Sequence, residues 1–431
     1  FMTASVRPSA KGYTLRRWAF FLLTNLTTLI ALGLLVSVFQ SNGFSPMELL
    51  LLLLYTILIG WICMSFWTAL MGFFTILFGR DRWAISRQPA APPDPAVPPP
   101  RTAILMPIYN EDSERVFAGL RAIHRSLTET GRLADFDFFI LSDTRDPDVW
   151  VEEELRWQDM VRALDGKGRI FYRNRPENTD RKSGNLEDFC TRWGGGYRYM
   201  IVLDADSIMK GSTLTDMVRL MECHPNVALI QTPPVPVNRE SLFARILQFA
   251  GSIYGRMFTA GLNYWQLGES NYWGHNAIIR VRPFLEHCGL PKLPGREPFG
   301  GAILSHDFVE AALLRRAGWE VWLAYDLEGS YEEIPPTLID YAKRDRRWCQ
   351  GNLQHLRLAL AHGFNALSRL HFSMGVMSYL ASPLWLLFLI ATGVEALIQT
   401  RQETIYFFGE NWIPVWPVSF AVEMTTVLLV T

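Results

Sequence analysis

Residues 197–207 read YRYMIVLDADS: an apolar run that ends in two aspartates, Asp204 and Asp206, on either side of an alanine. A short apolar run without polar alternation reads as a strand buried on both faces, the pattern of a parallel sheet. Residues i and i+2 of a strand share a face, so the two carboxylates can converge on one point. In open α/β sheets ligands bind at such a point, just beyond the carboxyl ends of the strands. Two convergent carboxylates suit a hard divalent cation that keeps waters and takes phosphate oxygens, as Mg²⁺ does. A solvated turn with two acidic residues would carry the same letters, so the neighbouring sequence has to decide.

The pattern repeats on both sides. TAILMPIYNE (102–111), DFDFFILSDT (135–144), GRIFYRN (168–174) and VALIQTPP (227–234) are further apolar runs with polar ends, and 112–129 has helical periodicity. Strands alternating with helices predict a doubly wound, mostly parallel, Rossmann-like sheet. Residues 102–338 are enough for one substantial core.

Apolar character is concentrated outside that region. Trp18–Phe39 carries no charge over 22 residues and Leu49–Gly79 none over 31. About 20 helical residues cross a hydrocarbon core, so each run can span. Lys11, Arg16 and Arg17 precede the first run and Arg80, Arg82 and Arg87 follow the second, whereas the joining SNGFS has no Lys or Arg. The positive-inside rule places both outer flanks in the cytoplasm. Residues 1–87 thus form an N-terminal segment with two spans. Residues 88–101, with seven prolines, read as a semi-rigid linker before the α/β domain. In 339–431, a basic helix (339–370) runs into a third charge-free stretch, Phe372–Val394. A fourth span begins at Ile413, broken by Pro414 and Pro417 and carrying Glu423. The chain starts without Met and stops inside an apolar stretch, so it reads as part of a longer protein.

Of the 431 residues, 41 are Lys or Arg and 42 Asp or Glu, a near-zero balance that offers no footprint for nucleic acid. Five cysteines without a C-x-x-C pair argue against zinc or a disulfide framework and fit a reducing compartment. The first apolar run is too long for a cleavable signal peptide.

The remaining candidates admit two readings each. Asp307, with Glu310 three residues on, has capping-box-like spacing, yet helix starts also border sites. Arg344, Arg347 and Trp348 suit a positive flank with an interfacial tryptophan, and equally a diphosphate contact beside a sugar platform. Residues 241–265 read as an interfacial helix or as core. Asp143 ends an apolar run, and Lys182 and Asn185 stand in RKSGNL.

The order Asp143, Lys182-Ser-Gly-Asn185-Leu, Asp204-x-Asp206, Asp307, Arg344-x-x-Arg347-Trp348 resembles the processive membrane synthases of glycosyltransferase family 2. Their pattern reads D, KxGNL, DxD, TED and QxxRW. Ser305-His306-Asp307 replaces TED here, and Arg344 stands where glutamine is usual. The stretches ILMPIYNED, LFARILQFAGSIYGRMFTAG, ESNYWGHNAIIR and PFGGAILSHDFVEAALLRRAGWEV are similar to one branch. That branch builds the β-1,2-linked glucose backbone of osmoregulated periplasmic glucans in Gram-negative bacteria.

The resemblance implies a cytoplasmic GT-A domain on a multi-pass protein of the bacterial inner membrane, using UDP-glucose. Asp143 would bind uridine, and Lys182 and Asp204 would hold the nucleotide. Asp206, with Asp204, would ligate Mg²⁺, or Mn²⁺ in its place. Asp307 would be the general base of an inverting transfer to a β-glucan acceptor. Arg347, with Arg344, would steady the diphosphate, Trp348 would border the acceptor, and His275 would lie in the acceptor-facing wall. The branch is associated with acyl carrier protein. The alternative reading is another processive β-glucan synthase.

Overall fold

The computed structural model describes residues 10–39, 44–79, 81–89 and 98–401. Arg80, the middle of the proline-rich linker, and the expected fourth span with Pro414, Pro417 and Glu423 lie outside them. Two long helices open the chain, α1 (Ala10–Phe39) and α2 (Pro46–Phe78). The strands are β1 (Thr102–Ile108), β2 (Phe136–Ser142), β3 (Ile170–Asn174), β4 (Tyr199–Val202), β5 (Ile208–Met209), β6 (Val227–Gln231), β7 (Val235–Pro236), β8 (Ala277–Arg280), β9 (Glu320–Leu323) and β10 (Ser330–Glu332). Between them run α3 (Ser113–Glu129), α4 (Pro147–Ala163), α5 (Arg181–Arg192), α6 (Gly211–Cys223), α7 (Leu242–Ala250), α8 (Arg256–Gln266), α9 (Val281–His287) and α10 (His306–Arg316). The helices α11 (Leu338–Ala359) and α12 (Ala366–Arg401) follow.

Seven strands form one sheet in the order β3-β2-β1-β4-β8-β6-β9. Every neighbour pair is parallel except those of β8, which runs against both β4 and β6. The strands β5, β10 and β7 make a second, small sheet. The near-continuous apolar strands have a direct cause in the two faces. On β4, Tyr199 and Ile201 join one core layer with Ile104, Met106, Phe138 and Ile140. The alternate residues Met200 and Val202 join the other, with Leu105, Leu141, Phe189 and Leu314. Both faces of the strand are thus dry, as expected of a sheet with helices on either side.

Among the described residues, three helices are long and apolar enough to cross a membrane: Tyr13–Phe39, Pro46–Phe78 and Ala366–Ile398. The chain packs as two compact units, Phe1–Leu23 with Met64–Tyr379, and Thr24–Cys63 with Leu380–Thr431. In the second, Leu26, Leu29, Leu49, Leu53, Leu386 and Leu389 point outward, as a lipid-facing surface requires. Ser45 and Glu48 there form a reciprocal capping box at the start of α2 (3.1 and 2.8 Å).

In the first unit the membrane-proximal arginines are tied down rather than free. Arg16 pairs with Asp81 at 2.9 Å, and Arg17 pairs with Glu269 at 2.9 Å while donating to the Trp265 and Gln266 carbonyls. The crossing of α2 and α8 is close enough that a Cβ built on Gly261 would lie 1.8 Å from the Thr68 carbonyl oxygen. Only glycine permits that approach.

Two expectations change. The basic helix does not run into the membrane helix: the chain turns between Ala359 and Ala366, with Gly363 at φ +89°. Residues 241–265 divide into two halves that differ in exposure. Across α7 and the single π-turn Gly251–Gly255, Leu242, Ile246, Phe249 and Ile253 are exposed, at the spacing of one helix face. The following α8 buries Ala260, Leu262 and Trp265.

Candidate active site

A cleft of about 880 Å³ opens at the carboxyl ends of β1 and β4. Asp143, Lys182, Asp204, Asp206, His275, Asp307, Arg344, Arg347 and Trp348 all line it. Residues separated by about two hundred positions in the chain therefore share one space, and their individual geometries differ from the sequence expectation in instructive ways.

The strand stops at Val202, so Asp204 and Asp206 stand on a turn and not at strand positions i and i+2. The turn is closed by Ser207, whose N–H donates to the Asp204 carbonyl (3.0 Å) and whose Oγ accepts from the Asp204 N–H (3.0 Å). Both carboxylates reach the cleft, but they are not equivalent. Asp204 is held by the Lys182 ammonium, which also donates to the Gly274 carbonyl at 2.7 Å. Burial would raise its pKa, yet Lys182 and the nearby histidines bring it down to about 2. Asp206 forms no ion pair among the described residues: burial and the Asp204 charge push it up, against the more distant His275 and Arg115. Glu111, at the end of β1, and Glu332, on β10, are raised by burial and by charges that include Asp206.

This crowding of acids is what a divalent cation would relieve. No group of three His, Cys, Asp or Glu able to hold a metal exists among the described residues. A cation here would take oxygen from Asp206 and Asp204 and complete its shell with water and a bound anion, the habit of Mg²⁺ at phosphate sites.

Asp143 is buried, and Arg175 grips it bidentately, Nε and an Nη both at 2.8 Å. The same guanidinium donates to the Arg181 carbonyl at 3.1 Å, which ties the end of β2 to the start of α5. Sequence reading missed Arg175. Its signal, an arginine just past an apolar run, was on the page in GRIFYRNR. Asn185 is fully buried and bridges the Leu141 carbonyl (2.9 Å) to Arg173 (2.7 Å), a scaffold role.

Asp307 is not the helix cap. Ser305 holds the cap position of α10 without a side-chain bond, and Asp307 lies in the first turn. The spacing to Glu310 misled because Glu310 pairs with His306, Nδ1 to Oε1 at 2.9 Å, and not with a backbone N–H at the cap. A Cβ built on Gly274, at φ +90°, would lie 3.3 Å from Asp307 Oδ2. Glycine there serves both the left-handed backbone and the close approach to the carboxylate. Burial raises the Asp307 pKa, opposed by the neighbouring His306 charge. His275, one residue on, sits between Glu332 (3.4 Å) and Ser207 (3.4 Å).

The far wall is α11. The Arg344 guanidinium lies 4.5 Å over the Trp348 ring, its buried Nε without a partner. Arg347 also faces the cleft, and Trp348 keeps 46% of its surface exposed. Cations that form no ion pair among the described residues, beside a half-exposed indole, can receive a phosphate and a sugar face.

Two family models match: glycosyl transferase family 2 over residues 103–287, and glycosyl transferase family group 2 over 199–398. The glucans biosynthesis glucosyltransferase H of Cupriavidus pinatubonensis is 54% identical over 403 residues, 93% of this chain and 47% of the relative. The protein of that name from Pseudomonas putida is 56% identical over 368 residues, 85% of this chain and 43% of the relative. The chain therefore spans about half the length of the curated relatives it matches. Among solved structures, a mannosyltransferase from Pyrobaculum calidifontis in complex with GDP-Man and Mn²⁺ is similar with a TM-score of 0.54 and 16% identity, covering 88% of this chain and 92% of that one. At that identity the likeness is of fold, and the fold is GT-A.

Proposed function

We propose a reaction for this chain, which belongs to glycosyl transferase family 2: inverting transfer of glucose from UDP-glucose to a growing β-1,2-glucan, the backbone of osmoregulated periplasmic glucans. One observation carries the reading. A single cleft gathers an acid-crowded turn suited to a metal-bound diphosphate, cations that form no ion pair among the described residues, and a separate buried carboxylate at a helix start. The identity to glucosyltransferases supports the choice of sugar.

Asp143, oriented by Arg175, and Lys182 bind the nucleotide. Asp206 and Asp204 would hold Mg²⁺ or Mn²⁺, and when bound that ion supplies positive charge to the diphosphate. Asp307 accepts the proton of the acceptor hydroxyl as the hydroxyl oxygen bonds to C1. The C1–O bond to the diphosphate breaks, its electron pair leaves with UDP, and the α-linked donor becomes a β-glucoside. Arg347 and Arg344 steady the leaving group. Trp348 and the wall around His275 border the acceptor. The domain faces the cytoplasm of a bacterial inner membrane, where UDP-sugars are made, and the positive flanks of the first two spans agree with that side.

The test is incubation of the membrane-embedded protein with UDP-glucose, followed by linkage analysis of the product. A β-1,2-linked glucan is expected. A β-1,4 product would make it a cellulose-like synthase, and no incorporation would refute the reading.

A further inference from the structure

The residue before the base is a histidine, and the structure gives it a partner. Glu310, one turn further along α10, is 1% exposed, and its Oε1 lies 2.9 Å from His306 Nδ1. Its other oxygen, Oε2, is buried without any partner. A buried carboxylate with a single imidazole partner is stable as an ion pair or as two neutral groups, and not with one charge alone. Burial pushes His306 toward neutrality, but Glu310 and Asp307 override this and raise its pKa, which favours the imidazolium beside Asp307.

Other groups face the pair. Lys182 and Cys190 come from α5, Asp204 follows β4, Tyr272 precedes β8 and Cys288 follows α9. From α11, the His355 ring lies 5.2 Å from the Phe308 ring; burial holds that histidine down to about 4, hence neutral. Lys182 is bonded to Asp204, so His306 is the cation adjacent to the base that is not committed to the donor side.

We propose that His306 and Glu310 are positioning residues for the base: their hydrogen bond fixes a positive charge beside Asp307 and keeps that carboxylate ionised in a buried, acid-rich wall. This rests on the reading of Asp307 as the base. Asp307 cannot accept a proton once protonated, so the acid limb of the kcat/KM profile reports its ionisation.

Glu310→Gln keeps an oxygen that can accept from His306 but removes the charge that favours the imidazolium; Glu310 itself raises Asp307, though less than His306 lowers it, so the loss of the imidazolium dominates. The acid limb should move up by roughly half to one pH unit, with UDP affinity and the high-pH plateau retained. The exchanged variant His306→Glu/Glu310→His keeps a pair but turns its negative end toward the base, and should move the limb further in the same direction. A limb that stays in place in a folded, UDP-binding Glu310→Gln protein overturns the inference, whether the rate is normal or uniformly reduced. If Glu310→Gln does not fold, His306→Gln takes its place, with the same upward movement expected and an unmoved limb again fatal. Failure of the underlying reading looks different, because Asp307→Asn would then transfer glucose at close to the wild-type rate.

Discussion

The two walls of the cleft handle charge in opposite ways. On the sheet side Asp143 is already matched by Arg175 and Asp204 by Lys182, which leaves Asp206 as the carboxylate for a metal. On the α11 side Arg344 leans on an indole, and neither it nor Arg347 forms an ion pair among the described residues, Glu332 and Glu111 acting on them only at longer range. A matched wall is shaped before substrate arrives and loses little on binding. An unmatched one is held in reserve for an anion that comes and goes. On the proposed function, the difference separates groups that build the site from groups that would act on the leaving diphosphate.

Four variants can break that contrast. The largest effect is expected at Asp307, the proposed base, which belongs to neither wall: Asp307→Asn should fold, bind UDP and lose about two to four orders of magnitude in rate, read as glucose incorporation in detergent. Next is Arg175→Gln, which strands the buried Asp143 carboxylate and should destabilise the protein by about 3–5 kcal/mol in thermal or denaturant unfolding. Arg347→Gln should leave stability unchanged and lower kcat by roughly 10- to 100-fold, the worth of a charge-assisted bond made as UDP departs. If Arg175→Gln lowered only the rate, or Arg347→Gln only the stability, the division into building and acting walls would be wrong. Asp206→Asn should weaken the metal dependence of UDP binding, so titration of UDP with and without EDTA should give nearly the same affinity for the variant but not for the wild type.

The smallest effect concerns pH. Burial raises Asp307, so its ionised form is lost at a higher pH than an ordinary carboxylate's, near 4. Activity should therefore fall on acidification with an acid limb above that value; a limb at or below it would refute the assignment.

The sheet was legible because its strands are dry on both faces, which leaves an unbroken apolar run in the sequence. The two strands not singled out, β8 and β9, have only four residues each, and AIIR and EVWL carry no period of their own. The site positions were legible as motif letters, whereas their chemistry was not. DAD says that two acids are close; only the fold shows that Lys182 has claimed one of them. Asp307-x-x-Glu310 says capping box, and only the side chain of His306 redirects Glu310. In each case the deciding partner is remote in sequence or one letter outside the pattern.

The reversal of β8 has a consequence for how the chain can change length. Because β8 runs against β4 and β6, Ala277 lies opposite both Val202 and Gln231. The cleft is therefore met by the residues that lead into β8, and Gly274 and His275 sit two or three positions ahead of a ladder anchored on both sides. A residue inserted at Gly268 or Glu269 would break the bridge between Glu269 and Val321, whose N–H donates to the Gly268 carbonyl. One inserted at Ile278 would exchange the faces of Ile278 and Ile279, which belong to opposite core layers. Insertions and deletions should therefore be resisted along the whole run that leads from α8 past Gly274 into β8.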